Sequence, residues 1–363
     1  MSSTSFDLTP AATGAAAPFA YAGGYAPHCG GIHALTREVD GRVRARLAAP
    51  LDGSPTWLHL ADGGRRLHAL VEDGHALASF AVDPVDGALT PLSRQATGGT
   101  LPVHLAFDEV ARQAWIAHYG DGSLRRAAVD DDGALRAPDL TIAPRPGPAP
   151  HAHMARLHPS WPLMLASDLG QDLLRVWRVD GAGAAPVELE GLSLPAGSGP
   201  RHFVFHPRDA GQLYLLGEQA NALDWLGLDA SGRLVHRLRL SSLPAGFEGL
   251  NYASDLRIAP DGSRLFALNR LHDAIAVFDL DAQGRPSWRG EVWAQGSYPR
   301  SATLSPDGRQ LWVCLQRSHQ ICVFELERGG VGGSAGSGGA DGGLPRFDGQ
   351  FIAMPGAACV VFR

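Results

Sequence analysis

The stretch IAPDGSRLFALNRLHDAIAVFDLDAQGR, residues 258–285, decides the fold. It opens on a Pro-Asp-Gly turn and runs into the apolar segment RLFAL. A polar corner follows at Asn269, then a second apolar run, AIAVFDL, and an Asp-x-x-Gly break. Runs this short, rich in Val, Ile, Phe and Leu, favour strands over helices. The Asp-Gly and Asp-x-x-Gly breaks supply hairpin turns.

The phrase recurs along the chain. LSPDGRQLWVCLQRSHQICVFELERGG (304–330), LHPSWPLMLASDLGQDLLRVWRVDGAG (157–183) and FHPRDAGQLYLLGEQANALDWLGLDASGR (205–233) are clear copies, and weaker ones begin at 60 and 107. The corners fall near Gly24, Glu72, His118, Asp168, Glu218, Asn269 and Gln316, at steps of 48, 46, 50, 50, 51 and 47 residues. A four-stranded unit of about 40–50 residues marks a β-propeller. The expected fold is therefore all-β, a seven-bladed propeller with four-stranded blades. Residues 18–43 read as the inner part of a blade without preceding outer strands. FIAMPGAACVVFR (351–363) reads as a final strand, and the two ends together would close the ring. Residues 1–17 read as a flexible tail and 18–363 as one propeller domain. Nine glycines in 329–343 suggest a surface loop within it.

Composition limits the chemistry. The 363 residues include 31 basic side chains, every one an arginine. Schiff-base catalysis, a P-loop lysine and a lysine general base are excluded. A net charge of -6 argues against nucleic acid or an anionic membrane as partner. Four cysteines without a CxxC pair do not form a disulfide framework. The N-terminus lacks the basic and apolar regions of a secretory signal. A cytoplasmic monomer acting on a small anionic metabolite, without cofactor, is the expectation.

Innermost strands of a propeller line its central channel, so residues at their starts carry the functional interest. GPAPHAHMARLHP holds His151 and His153. GSGPRHFVFHP holds Arg201 and His202, and GSYPRSATLSP holds Arg300 in the same frame. YLLGEQAN contributes Glu218, Glu72 occupies the equivalent corner three units earlier, and FALNRLHD contributes Arg270. His151 and His153, two apart on a strand, would point to one face, a spacing that also suits zinc. No HExxH or cysteine partner accompanies them, so no metal site is expected. A carboxylate beside an apolar run, such as Glu218, would have its pKa raised towards a base's working range.

These phrases, with Asp-Leu-Gly-x-Asp at 168–172 and Leu-Asn-Arg at 268–270, resemble the lactonase family of seven-bladed propellers. That family includes propeller-type 6-phosphogluconolactonase and 3-carboxy-cis,cis-muconate lactonizing enzyme. The resemblance implies a site made of His153, Arg201, Glu218 and Arg270. Arg300, His151, His202, His118 and Glu72 are further candidates for substrate contact. His118 stands in HYGDGS where the family has Asn, and the glycine-rich insertion is also a departure. The implied activity is hydrolysis of a sugar-acid lactone, 6-phosphogluconolactone first. A lactonizing cycloisomerase and a non-catalytic binding module are the alternatives.

Overall fold

A computed structural model of the protein describes residues 17–181, 184–327 and 342–363. The expected tail lies almost wholly outside the described residues, as does most of the glycine-rich run. The chain forms seven antiparallel sheets, one per blade. Blades 2 to 7 begin with their innermost strands, at Pro55–Ala61, Pro102–Asp108, Ala152–Leu157, Pro200–Phe205, Ala253–Ile258 and Pro299–Leu304. In each of them the chain then steps outward. Blade 5, for example, continues through Gln212–Gly217, Ala222–Leu228 and Leu234–Ser241. Blade 4 splits its outer strand into Val187–Glu188 and Leu192–Ser193, which pair with different halves of Leu173–Arg178.

Blade 1 joins the two ends of the chain, as expected, but with the roles of the ends exchanged. Ala357–Phe362 is its innermost strand, while Ala20–Gly24, Gly31–Arg37 and Val43–Pro50 are its outer three. The reason is spatial. Gly23 passes so close to blade 2 that a Cβ there would sit 2.0 Å from the Pro55 carbonyl oxygen. The inner position is taken by Ala357–Phe362, which begins with the small residues Ala357, Ala358 and Cys359. The seven innermost strands then contact one another in an unbroken ring.

Each blade packs both faces against neighbours, so its middle strands are mostly buried, and Gln212–Gly217 and Gln113–His118 are buried throughout. The hydrophobic core is correspondingly divided into seven clusters, one between each pair of adjacent blades. Between blades 4 and 5, Leu165, Leu174 and Val176 meet Phe203, Leu213 and Leu215. Each such side chain contributes about 1.5–3 kcal/mol on burial. Outer strands alternate or face solvent, as in Leu234–Ser241. Among the described residues no helix is long and apolar enough to cross a membrane.

Candidate active site

One local device recurs at the start of every innermost strand. The pairing register slips there, leaving an extra residue without a ladder partner. The unpaired residues are Thr56, Val103, His153, Arg201, Arg300 and Ala358, and in blade 6 the slip spans Ser254 and Asp255. A bulge bends its strand and re-aims a side chain. All six single bulge residues line one small cavity on the channel, of about 20 Å³. That is room for about one water molecule. Trp57, Glu72, His202 and Ser301 complete its wall.

The residue following each second strand forms a second tier at the same mouth. Pro200 pairs with Gly217, so this position is Glu218 in blade 5. By the same pairing it is Tyr25, Glu72, Tyr119, Leu169, Arg270 and Gln316 elsewhere. His118 itself pairs with Pro102 and is therefore the counterpart of Gly217, one residue short of the tier. It is fully buried beneath the corner of blade 3, where a Cβ on Gly99 would meet its ring at 2.6 Å. The expectation that His118 faces the substrate is corrected accordingly. Tyr119 holds the place instead.

The two tiers interlock. Glu218 forms two ion pairs, its Oε1 lying 2.8 Å from Arg270 Nη2 and its Oε2 2.9 Å from Arg201 Nε. The Arg201 Nε–H does not point along that line, so this contact is ionic without a hydrogen bond. Arg201 donates through Nη1 to the Ser254 carbonyl. Arg270 is anchored by the Tyr252 and Ala253 carbonyls and lies over the rings of Tyr252 and Tyr298. Arg300 lies over Tyr25, 4.7 Å from the ring centroid, and forms no ion pair among the described residues. Glu72 accepts from Tyr25 at 2.9 Å and from Thr56 at 2.8 Å.

His153 packs edge-on to Tyr119 and His202, with ring centroids 5.9 and 5.1 Å away. Its Nδ1 is buried with no hydrogen-bond partner. His151 is only half-buried. It stacks flat on Tyr119 at 4.3 Å and donates from Nδ1 to the Tyr119 carbonyl, so it supports the tier from behind. His202 donates from Nδ1 to Asp255 Oδ1 at 2.7 Å, and Asp255 in turn accepts twice from Arg257. Among the described residues no group of His, Cys, Asp and Glu is placed to hold a metal ion.

Electrostatics distinguish the acid–base groups. Burial pushes His153 well below 6.5, and Arg201, His202, Arg300 and Arg270 push it further, so the imidazole is neutral. Burial and Arg201 pull His202 down to about 4 despite Asp255. Burial alone would raise Glu218, but Arg201, Arg270 and Arg300 together outweigh it and hold the carboxyl below its ordinary value. The expected upward shift is thus reversed, because three guanidiniums face one carboxylate. Burial draws Arg201 down to about 10. Of the residues not anticipated from sequence, Tyr25 and Tyr119 each directly follow a corner. Asp255 lies two residues after Ala253, a strand start where the other polar blades carry proline or a Pro-His phrase.

The family model described as "Lactonase, 7-bladed beta-propeller" matches residues 19–332. The chain belongs to the lactonase family. Within it, the chain is 28% identical over 283 residues to the 6-phosphogluconolactonase of Bacillus subtilis, covering 74% of this chain and 80% of that one. A crystal structure of a Lactobacillus plantarum protein superposes with a TM-score of 0.83 at 25% identity, covering 95% of this chain and 98% of the other. The periplasmic gluconolactonase PpgL of Pseudomonas aeruginosa gives a TM-score of 0.82 at 25% identity, covering 94% and 98%.

Proposed function

We propose that this family member hydrolyses the lactone of a sugar acid, with 6-phosphogluconolactone as the leading substrate. The observation that carries the reading is Arg300. It is a guanidinium free of any ion pair among the described residues, beside neutral His153 on the wall of the same cavity. A guanidinium binds phosphate or carboxylate through a planar fork, which suits Arg300 to the anionic group of such a substrate.

Ester opening requires an activated water, a stabilised oxyanion and a protonated leaving alkoxide. His153 accepts a proton from water as its oxygen bonds to the lactone carbonyl. Arg201 faces the developing oxyanion. When the ring C–O bond breaks, His153 returns the proton to the leaving oxygen, so that no net proton is taken up in the step. Three arginines oppose an imidazolium at this position. An anionic substrate offsets them, and so supports proton transfer only when bound. Glu218 remains ionised and serves to hold Arg201 and Arg270 together. This assigns the base role to His153.

The sequence of B. subtilis 6-phosphogluconolactonase supports the phosphorylated substrate, and the name of PpgL supports the unphosphorylated one. The four buried, unpaired thiols favour a reducing compartment, and we place the protein in the cytoplasm on that ground. The deciding experiment is proton release from a panel of sugar-acid lactones, with spontaneous hydrolysis subtracted. Enzyme-dependent opening that is lost in His153→Ala is expected. Cyclisation of carboxymuconate without lactone opening would replace this reading with that of a lactonizing cycloisomerase.

A further inference from the structure

The innermost strands run from the mouth just described to a second one, and a larger cavity lies at that far end. It has a volume of about 540 Å³ and opens among the last residues of the innermost strands of blades 4 to 7. This is within the size range of small-molecule sites. Its wall combines an apolar part, including Leu157, Phe205 and Ile258, with three arginines, Arg156, Arg208 and Arg257. No Asp or Glu lines it.

The three guanidiniums differ in how far they are already engaged. Arg257 is held by Asp255 through two hydrogen bonds of 2.9 and 3.1 Å. Arg208 is exposed at the rim and bonds the Asp261 carbonyl. Arg156 has no carboxylate partner among the described residues. Its one hydrogen bond is a long contact of 3.5 Å to the Phe203 carbonyl. Burial and the adjacent Arg257 pull it down to about 10. Arg156 is half-buried, with most of its donors unused by protein groups and so available to a ligand in the cavity. Its five N–H groups match the oxygens of a phosphate or carboxylate.

We propose that this cavity is a second ligand site, for a small organic anion whose phosphate or carboxylate group binds Arg156 and Arg208 and whose body lies on the apolar wall. Nothing in the lactone chemistry at the first mouth uses these residues. The two sites therefore stand or fall separately.

The test is calorimetric titration of the full chain with inorganic phosphate, glycerol 3-phosphate and benzoate. The three probes distinguish a bare phosphate site, a phosphomonoester site and a carboxylate site with an apolar body. Because the first mouth also carries arginines, the titration is repeated in Arg300→Met. Binding to Arg300→Met by at least one probe is expected. It should weaken about tenfold or more when Arg156→Gln is added, the scale of a charge-assisted hydrogen bond. Lactone turnover by Arg156→Gln alone should equal that of the unchanged protein. If Arg156→Gln fails to fold, Arg208→Gln, altered at the exposed rim, should weaken the same binding. The proposal is overturned if no probe binds Arg300→Met, or if binding is unaffected by both substitutions.

Discussion

The cavity at the first mouth has two unequal sectors. Blades 4, 5 and 7 place His153, Arg201 and Arg300 at the bulge, while blades 1, 2 and 3 place Ala358, Thr56 and Val103 at the same point. Backbone geometry is shared by both sectors, so the bulge alone does not make a site. It offers equivalent positions around a channel, and chemistry depends on which ones carry polar groups. The second tier shows the same division. Glu218 and Arg270 lie beside the charged sector, whereas Tyr25, Glu72 and Tyr119 close the other through hydrogen bonds and ring contacts.

Substitutions should break this contrast in a graded way. Glu218→Ala should have the largest effect, because it leaves Arg201 and Arg270 close together without their shared carboxylate. Breaking such a buried pair costs about 3–5 kcal/mol. Urea unfolding should show that loss, and lactone opening should fall to background. His153→Ala should lower kcat by roughly 10²–10⁴, the range for a general acid–base group. Its stability should fall modestly, since the ring loses its packing on Tyr119 and His202 but Nδ1 has no hydrogen bond to lose. Equal kcat in the variant and the unchanged protein would remove His153 from the chemistry. Arg201→Lys should cost about 10²-fold in kcat/KM, the scale of a lost oxyanion donor. In the other sector, Val103→Ala should change kcat/KM by less than about threefold and stability by roughly 1 kcal/mol. A loss as large as that of Arg201→Lys would dissolve the distinction between sectors.

A pH series sharpens the same point. Burial lowers His202, His118 and His59 from 6.5 to about 4 and His68 to about 3. The folded protein therefore holds these rings neutral, while the unfolded chain takes up protons below 6.5. Stability should be complete above that pH and should fall as pH drops from 6.5 towards 4. Urea midpoints at pH 7.5, 6 and 5 should decrease in that order.

How much of this was legible in the sequence depended on local signals. The blades were readable because each repeats the same turns and strand lengths, as in 258–285. His153, Arg201 and Arg300 could be found because each lies in or just after a proline-marked strand start. Strand order in blade 1 could not, because Gly23 and the Ala-rich 357–362 segment show their fit only against Pro55. His118 was misjudged by one position: corner polarity is visible in sequence, but strand pairing decides which residue reaches the channel. The Glu218 shift also needed three dimensions, since Arg201, Arg270 and Arg300 come from three different blades.

The exchange of ends in blade 1 has a consequence for biosynthesis. The strand Ala357–Phe362 emerges from the ribosome after every other blade, yet it carries Ala358 on the channel wall and pairs with Ala20–Gly24. Six blades can assemble during translation, but the channel stays open along one side until Ala357–Phe362 arrives. Closure is then a long-range step joining positions more than three hundred residues apart, the kind of contact that folds slowly. Nascent chains halted before residue 357 should consequently be protease-sensitive at Ala20–Gly24, an unpaired sheet edge until the final strand docks.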